Sequence, residues 1–269
     1  MNVTQREAVF QEGYVEADGF RVRYVEGGQS TPAGAVVMVD GMTLGLKALR
    51  DALAQQYQVV DIELPGLGQS PVNTQSRTLK DLATTLAQAV AKVAPDKYTL
   101  IGTSFGANVA LWHALQTPDS VEALILISPT TILPAGGPMA SSAEEMAERL
   151  LAHPENAQRL LAMDQAVFAQ EVALIQRLKG TTHDQEAESK LGEIRCATLV
   201  VFGLDDQLVA PEAARVYKGK IPNSNHSIVY DAGHAIAAER PEALINAVAD
   251  YVEYRETFIV GRQTGMLNP

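Results

Sequence analysis

Ser104 stands between Gly102 and Gly106, directly after the apolar run Tyr98-Thr99-Leu100-Ile101 and before the helical pattern Phe105 to Leu115. Glycine two residues before and after a serine gives a sharp strand-to-helix turn room to form, and such a nucleophile elbow presents the hydroxyl at its tip. A serine hydroxyl is a weak nucleophile at neutral pH. It needs a histidine base and an acid to orient that histidine, and an elbow places them later in the chain, acid before base. Two segments supply candidates. Thr198 to Phe202 reads as a buried strand running through Gly203-Leu204 into Asp205-Asp206, and Ser227 to His234 reads as a short strand ending at a histidine. Chemistry at the C-terminal ends of strands is the usual arrangement of an open parallel α/β sheet.

The remaining histidines are poorer bases. His113 lies nine residues beyond Ser104, roughly 13 Å along the same helix at about 1.5 Å per residue, and reads as a helix-surface or core residue. His153, His183 and His226 fall in apparent loops or polar helix ends without metal-ligand spacing, so neither a metal nor another cofactor is expected. The single cysteine, Cys196, precedes a buried strand and reads as packing. It leaves no internal disulfide and fits a reducing compartment.

The elements that must position these groups follow from the apolar patterning. Tyr14 to Ala17 and Phe20 to Val25 flank Asp18-Gly19, a hairpin signal. Ala35 to Val39 is a continuous apolar strand, Leu46 to Gln56 a helix, and Gln58 to Ile62 the next strand. Ser76 to Val93 carries Leu79, Leu82, Leu86 and Val90 on one helical face. After the elbow and its helix comes a strand from Val121 to Ile127, and Pro241 to Tyr254 is the last core helix. Strands alternating with helices imply right-handed crossovers and a mostly parallel sheet flanked by helices. That alternation breaks from about Thr131 to Glu193, where only helical patterns occur: Ala143 to Leu151, Ala157 to Ala162 and Gln165 to Leu178. The expectation is a helical cap over 129–194 inserted in an α/β core of 1–128 and 195–255. Most of its apolar set (Met139, Met146, Leu150, Leu151, Leu160, Met163, Phe168, Val172, Ile175) is packing, and a few line an apolar acyl pocket.

In a chain of 269 residues, 46% of them hydrophobic, a full α/β core and a small insertion can be buried. The net charge of −11, from 32 acidic and 21 basic residues, lacks the basic face that nucleic acid or an anionic membrane would require. No stretch reads as a secretory signal or membrane span, so the expectation is a soluble, cytoplasmic protein acting on a small molecule. Residues 256–269 form a C-terminal extension with Phe258-Ile259-Val260 and Met266-Leu267. That apolar content suits docking on its own domain or pairing with a second copy as a homodimer.

The segments Val36 to Gly41, Asp61 to Ser70, the elbow, Gly203 to Pro211 and Ala232-Gly233-His234 together resemble the α/β-hydrolase family, over nearly the whole chain. The resemblance implies Ser104 as nucleophile, His234 as base and Asp206 as acid. Asp206 is preferred to Asp205 because the family's acid lies three residues after the glycine, here Gly203. It also implies an oxyanion hole from the backbone N–H groups of Met42 and Phe105. One position departs from the family: Asp40-Gly41 stands where His-Gly is usual. Asp40 either points away and bonds nearby backbone, as that histidine does, or tunes the site. The implied activity is that of a carboxylesterase-like serine hydrolase acting on an ester or related acyl compound through an acyl-enzyme. A serine rather than an aspartate at the elbow argues against dehalogenase and epoxide hydrolase chemistry. The alternatives are a meta-cleavage-type C–C hydrolase, an acyltransferase, or a weakly active ligand-binding member of the fold.

Overall fold

The structure is a computed structural model that describes residues 8–29, 34–39, 46–132, 143–156, 165–178 and 183–255. Its centre is one eight-stranded sheet: β1 (Phe10–Ala17), β2 (Phe20–Gly27), β3 (Ala35–Val39), β4 (Gln58–Ile62), β5 (Tyr98–Thr103), β6 (Val121–Ile127), β7 (Ala197–Gly203) and β8 (Ser224–Val229). The spatial order is β1-β2-β4-β3-β5-β6-β7-β8. β1 and β2 form the antiparallel hairpin, closed at Ala17 opposite Phe20, and β2 joins β4 antiparallel; the other strands run parallel. Asp18 and Gly19 both adopt positive φ, 53° and 79°, the conformation that matches a two-residue turn to the strands' twist.

β3, β5 and β7 are buried along their whole length, which is why they read as unbroken apolar runs rather than alternating ones. One face is covered by α1 (Lys47–Leu53) and the long C-terminal helix Pro241–Tyr254, which touch each other and whose Leu49, Leu53, Val248 and Tyr251 belong to one apolar cluster. The other is covered by α2 (Leu79–Val93) and α3 (Phe105–Gln116), with Leu82, Leu86, Val109 and Leu111 in its core. α2 begins three residues later than its apolar pattern predicts. Thr78 caps it: its hydroxyl accepts from Asp81 N (3.2 Å) while the Asp81 carboxylate accepts from Thr78 N (3.0 Å), a capping box that stops the helix there.

Between β6 and β7 the chain inserts α4 (Ala143–Leu150), α5 (Gln165–Leu178) and α6 (Gln185–Lys190). Leu174, Ile175 and Leu178 of α5 join the apolar cluster of α2 and α3, so that face is core packing. Met146, Leu150 and Leu151 are buried but belong to neither core cluster among the described residues. α6 packs against α3, and its N-cap Asp184 accepts from Trp112 Nε1 at 2.9 Å. The remaining described α-helices are the short α7 (Ala213–Lys220), the single-turn α8 (Ile236–Glu239) and α9, the long Pro241–Tyr254 helix already named. Met139, Leu160, Met163, the proposed turn of helix at 157–162 and the extension 256–269 lie outside the described residues. No described helix is long and apolar enough to cross a membrane.

Candidate active site

The parallel register aligns the C-terminal ends of five strands, β3, β5, β6, β7 and β8. Val39 stands opposite Gly102, Gly102 opposite Leu126, Ile127 opposite Val201 and Gly203 opposite Val229. β3 lies between β4 and β5, so the chain changes direction across the sheet there, and a crevice opens beyond the strand ends. Ser104 follows β5 at that point.

Its backbone has φ 51° and ψ −120°, a region that costs a non-glycine residue about 1–3 kcal/mol. The surroundings hold it there. Ser104 N donates to Ile127 O at 2.8 Å, and Ser104 O accepts from Ala107 N at 3.1 Å. Gly102 is required by close approach: a Cβ on it would meet Ala107 Cα and Gly106 O, both at 2.7 Å.

Ser104 Oγ lies 2.8 Å from His234 Nε2, and His234 Nδ1 lies 2.8 Å from Asp206 Oδ2. A carboxylate only accepts, so Nδ1 carries the proton and Nε2 is left to accept from the serine hydroxyl. The other carboxylate oxygen, Oδ1, accepts from Leu208 N (2.8 Å) and Val209 N (2.9 Å), which fixes the plane of the group. The side chains of Asp206 and His234 are fully buried and Ser104 nearly so. Asp205, the alternative acid, is exposed, and its amide instead donates to Ala232 O.

His234 is not at a strand end. β8 stops at Val229, and the base sits five residues on, in the loop before α8. Three backbone groups around it are held. Gly233 N donates to Glu239 Oε2 (2.7 Å), His234 O accepts from Ser128 Oγ (3.0 Å), and Ala235 N donates to Leu150 O (2.8 Å). The sequence reading missed Ser128 and Glu239, because their side chains bind backbone atoms of the His234 loop, and a backbone partner leaves no residue-type signal.

Of the two oxyanion candidates, Phe105 is the first residue of α3, where the first four amides have no preceding helical carbonyl to meet. Met42 and Asp40 lie outside the described residues, in the segment that follows Val39. A cavity of about 320 Å³ opens nearby on the β4 side, between α1 and α5, lined by Arg23, Arg50, Asp61, Leu64 and Val167 among others. None of Ser104, Asp206 or His234 lines it.

The remaining histidines have other partners. His113 is a core residue whose Nε2 lies 2.6 Å from the Tyr98 hydroxyl, and burial pushes its imidazole down to about 4. His226 belongs to strand β8, not to a loop or helix end as its polar neighbours suggested, because the strand extends back to Ser224. His183 is 2.5 Å from Glu188, and His153 is 2.5 Å from Asp231. Burial raises the Cys196 thiol to about 11, which leaves it unreactive at neutral pH. No described group of three or more His, Cys, Asp or Glu side chains has the geometry to hold a metal ion.

The sheet order and the strained serine at the β5–α3 turn are those of the α/β-hydrolase fold. A sequence model of the α/β hydrolase family matches residues 37–247, and the chain belongs to that family. Among its relatives is "Putative carbamate hydrolase RutD" of Enterobacter cloacae subsp. cloacae, 26% identical over 235 residues, covering 76% of this chain and 86% of that protein. The protein of the same name from Klebsiella pneumoniae is 30% identical over 217 residues, covering 70% and 78%. The fold is also that of a thermophilic esterase from Thermogutta terrifontis, with TM-score 0.78, 24% identity and coverage of 92% of this chain and 100% of that one. A meta-cleavage product hydrolase from Pseudomonas fluorescens shares it as well, with TM-score 0.73, 14% identity and coverage of 89% and 96%.

Proposed function

We propose that this hydrolase cleaves a carboxylic ester or related acyl compound through Ser104, His234 and Asp206. The observation that carries the reading is the buried pair of 2.8 Å contacts from Ser104 Oγ to His234 Nε2 and from His234 Nδ1 to Asp206 Oδ2. Nε2 takes the hydroxyl proton as Oγ attacks the acyl carbon, and Asp206 stabilises the imidazolium that forms. The carbonyl oxygen becomes an oxyanion, held by the Phe105 amide and by that of Met42, each such donor being worth about 3 kcal/mol in the transition state. Collapse expels the alcohol, which receives the proton from Nε2 and leaves an acyl-enzyme on Ser104. Water, deprotonated by His234, attacks that ester. The acid is released and the proton returns to Oγ.

Met146, Leu150 and Leu151, buried outside both core clusters, are the apolar wall offered to the acyl group. A carbamoyl group is a second acyl class, favoured by the name of the relatives at 26% and 30% identity. The same serine chemistry serves it. Acyl transfer to an alcohol, C–C cleavage and simple binding remain the competing readings.

The test is a panel of p-nitrophenyl esters from acetate to decanoate, run beside a p-nitrophenyl N-alkylcarbamate. Turnover of esters or of the carbamate is expected, with the better class naming the acyl group and the chain-length optimum sizing its pocket. Silence of the folded protein on every member would overturn the reading and favour its competitors.

A further inference from the structure

We propose that Glu239 is a positioning residue for the base His234, and that it sets the imidazole by clamping the His234 loop to the segment that follows α4 in the helical insertion. The inference rests on the Ser104–His234–Asp206 reading above. Glu239 ends the single-turn helix α8, yet its side chain turns back past the helix start. One carboxylate accepts three backbone N–H groups from two chain segments. Oε2 takes Gly233 N at 2.7 Å and Ala152 N at 3.1 Å, and Oε1 takes His153 N at 2.9 Å. Gly233 immediately precedes the base, whereas Ala152 and His153 lie just past the end of α4, in the insertion.

The two segments are in close backbone contact. A Cβ on Gly233 would stand 2.7 Å from Ala152 N and 2.9 Å from Leu150 O. The next bond, Ala235 N to Leu150 O at 2.8 Å, repeats the connection on the far side of His234. Three part-buried N–H groups this close together need an acceptor, because a donor withdrawn from water and left unmade is costly. Only a carboxylate offers two acceptor oxygens and no donor. An amide at this position would turn an NH2 group toward at least one of the three N–H groups. The loop would then shift, and the imidazole with it. A misplacement of about 1 Å at a catalytic group costs on the order of 100-fold in rate.

A second contact joins the same segments without touching the base's backbone. His153 Nε2 lies 2.5 Å from Asp231 Oδ1, and Asp231 in turn pairs with Arg240 at 2.7 Å. It serves as the control. His153→Ala removes that ion pair but keeps the His153 N–H that Glu239 accepts.

The experiment compares wild type, Glu239→Gln and His153→Ala for ester kcat, KM and the second-order rate of labelling by a fluorophosphonate. Glu239→Gln is expected to lower kcat and the labelling rate together, by about 10- to 100-fold, with KM within about twofold. His153→Ala is expected to stay within about twofold of wild type in all three. If Glu239→Gln does not fold, Glu239→Asp replaces it; it keeps the charge but retracts the oxygens, and a smaller loss of the same pattern is expected. Labelling of a folded Glu239 variant at the wild-type rate would overturn the proposal. So would an equal loss in His153→Ala, since any loosening of the insertion would then suffice. Absence of labelling in wild type would instead remove the serine reading on which the proposal rests.

Discussion

A Cβ on Gly203 would stand 2.1 Å from the carbonyl oxygen of Gly233. The turn that carries the acid and the loop that carries the base are thus in direct backbone contact. Asp205 N donates to Ala232 O at 3.0 Å and Leu204 N to Val229 O at 2.9 Å, which closes the same junction. Asp206 and His234 meet because two glycines let their loops touch.

Gly203→Ala is therefore expected to damage stability and activity together. The methyl group has backbone on its far side, not a flexible side chain, so the loops must separate. Overpacking of this kind costs about 3 kcal/mol. Thermal unfolding should show a clear fall in Tm, and ester kcat should fall further than the lost folded fraction explains. A Tm equal to wild type would contradict the close approach.

Asp206→Asn separates charge and tautomer from shape. The amide oxygen can still accept from Leu208 N and Val209 N, leaving its NH2 group facing His234 Nδ1. Nδ1 must then accept, so the proton moves to Nε2 and the base is lost to Ser104. A drop of about 10⁴ in kcat is expected, with little change in Tm. Steady-state kinetics and a melting curve check both halves.

The buried pair Tyr98–His113 sets a pH dependence of folding. Burial lowers His113 to about 4 from its ordinary 6.5, so the folded state binds fewer protons than the unfolded one between those values. Stability contributed by the neutral imidazole is complete above about pH 6.5 and is lost as pH falls toward 4. The whole shift corresponds to about 3 kcal/mol. Unfolding by urea at pH 7 and pH 4.5 should show a larger loss for wild type than for His113→Gln. Equal losses would place the acid sensitivity elsewhere.

Legibility in the sequence followed the strength of each physical signal. β4, β6, α5 and α9 have the bounds that their apolar runs and flanking turns predict. The α/β-hydrolase fold and the family were readable from the elbow and the strand-end motifs. The short polar helices Gln185–Lys190 and Ala213–Lys220 were not predicted, because six or eight residues held by packing against α3 or the sheet carry little periodicity of their own. Ser104 and His234 could be named as candidates because their chemistry resides in side chains, whereas the choice of Asp206 over Asp205 came from the family resemblance. Glu239 and Ser128 could not be named, because what they hold is backbone. The strand before His234 was placed too late, since Tyr230 and the apolar Ala232 prolong a pattern that the sheet abandons at Val229.

The central claim is that Ser104 carries the acyl group. Its most direct test is mass spectrometry of the protein after reaction with a fluorophosphonate, with Ser104→Ala alongside. One adduct per chain on the peptide containing Ser104 is expected in wild type, none in the variant, and ester turnover lost in the variant by at least about 10³-fold. An adduct on another residue, or a Ser104→Ala enzyme that turns over esters at the wild-type rate, would contradict the account.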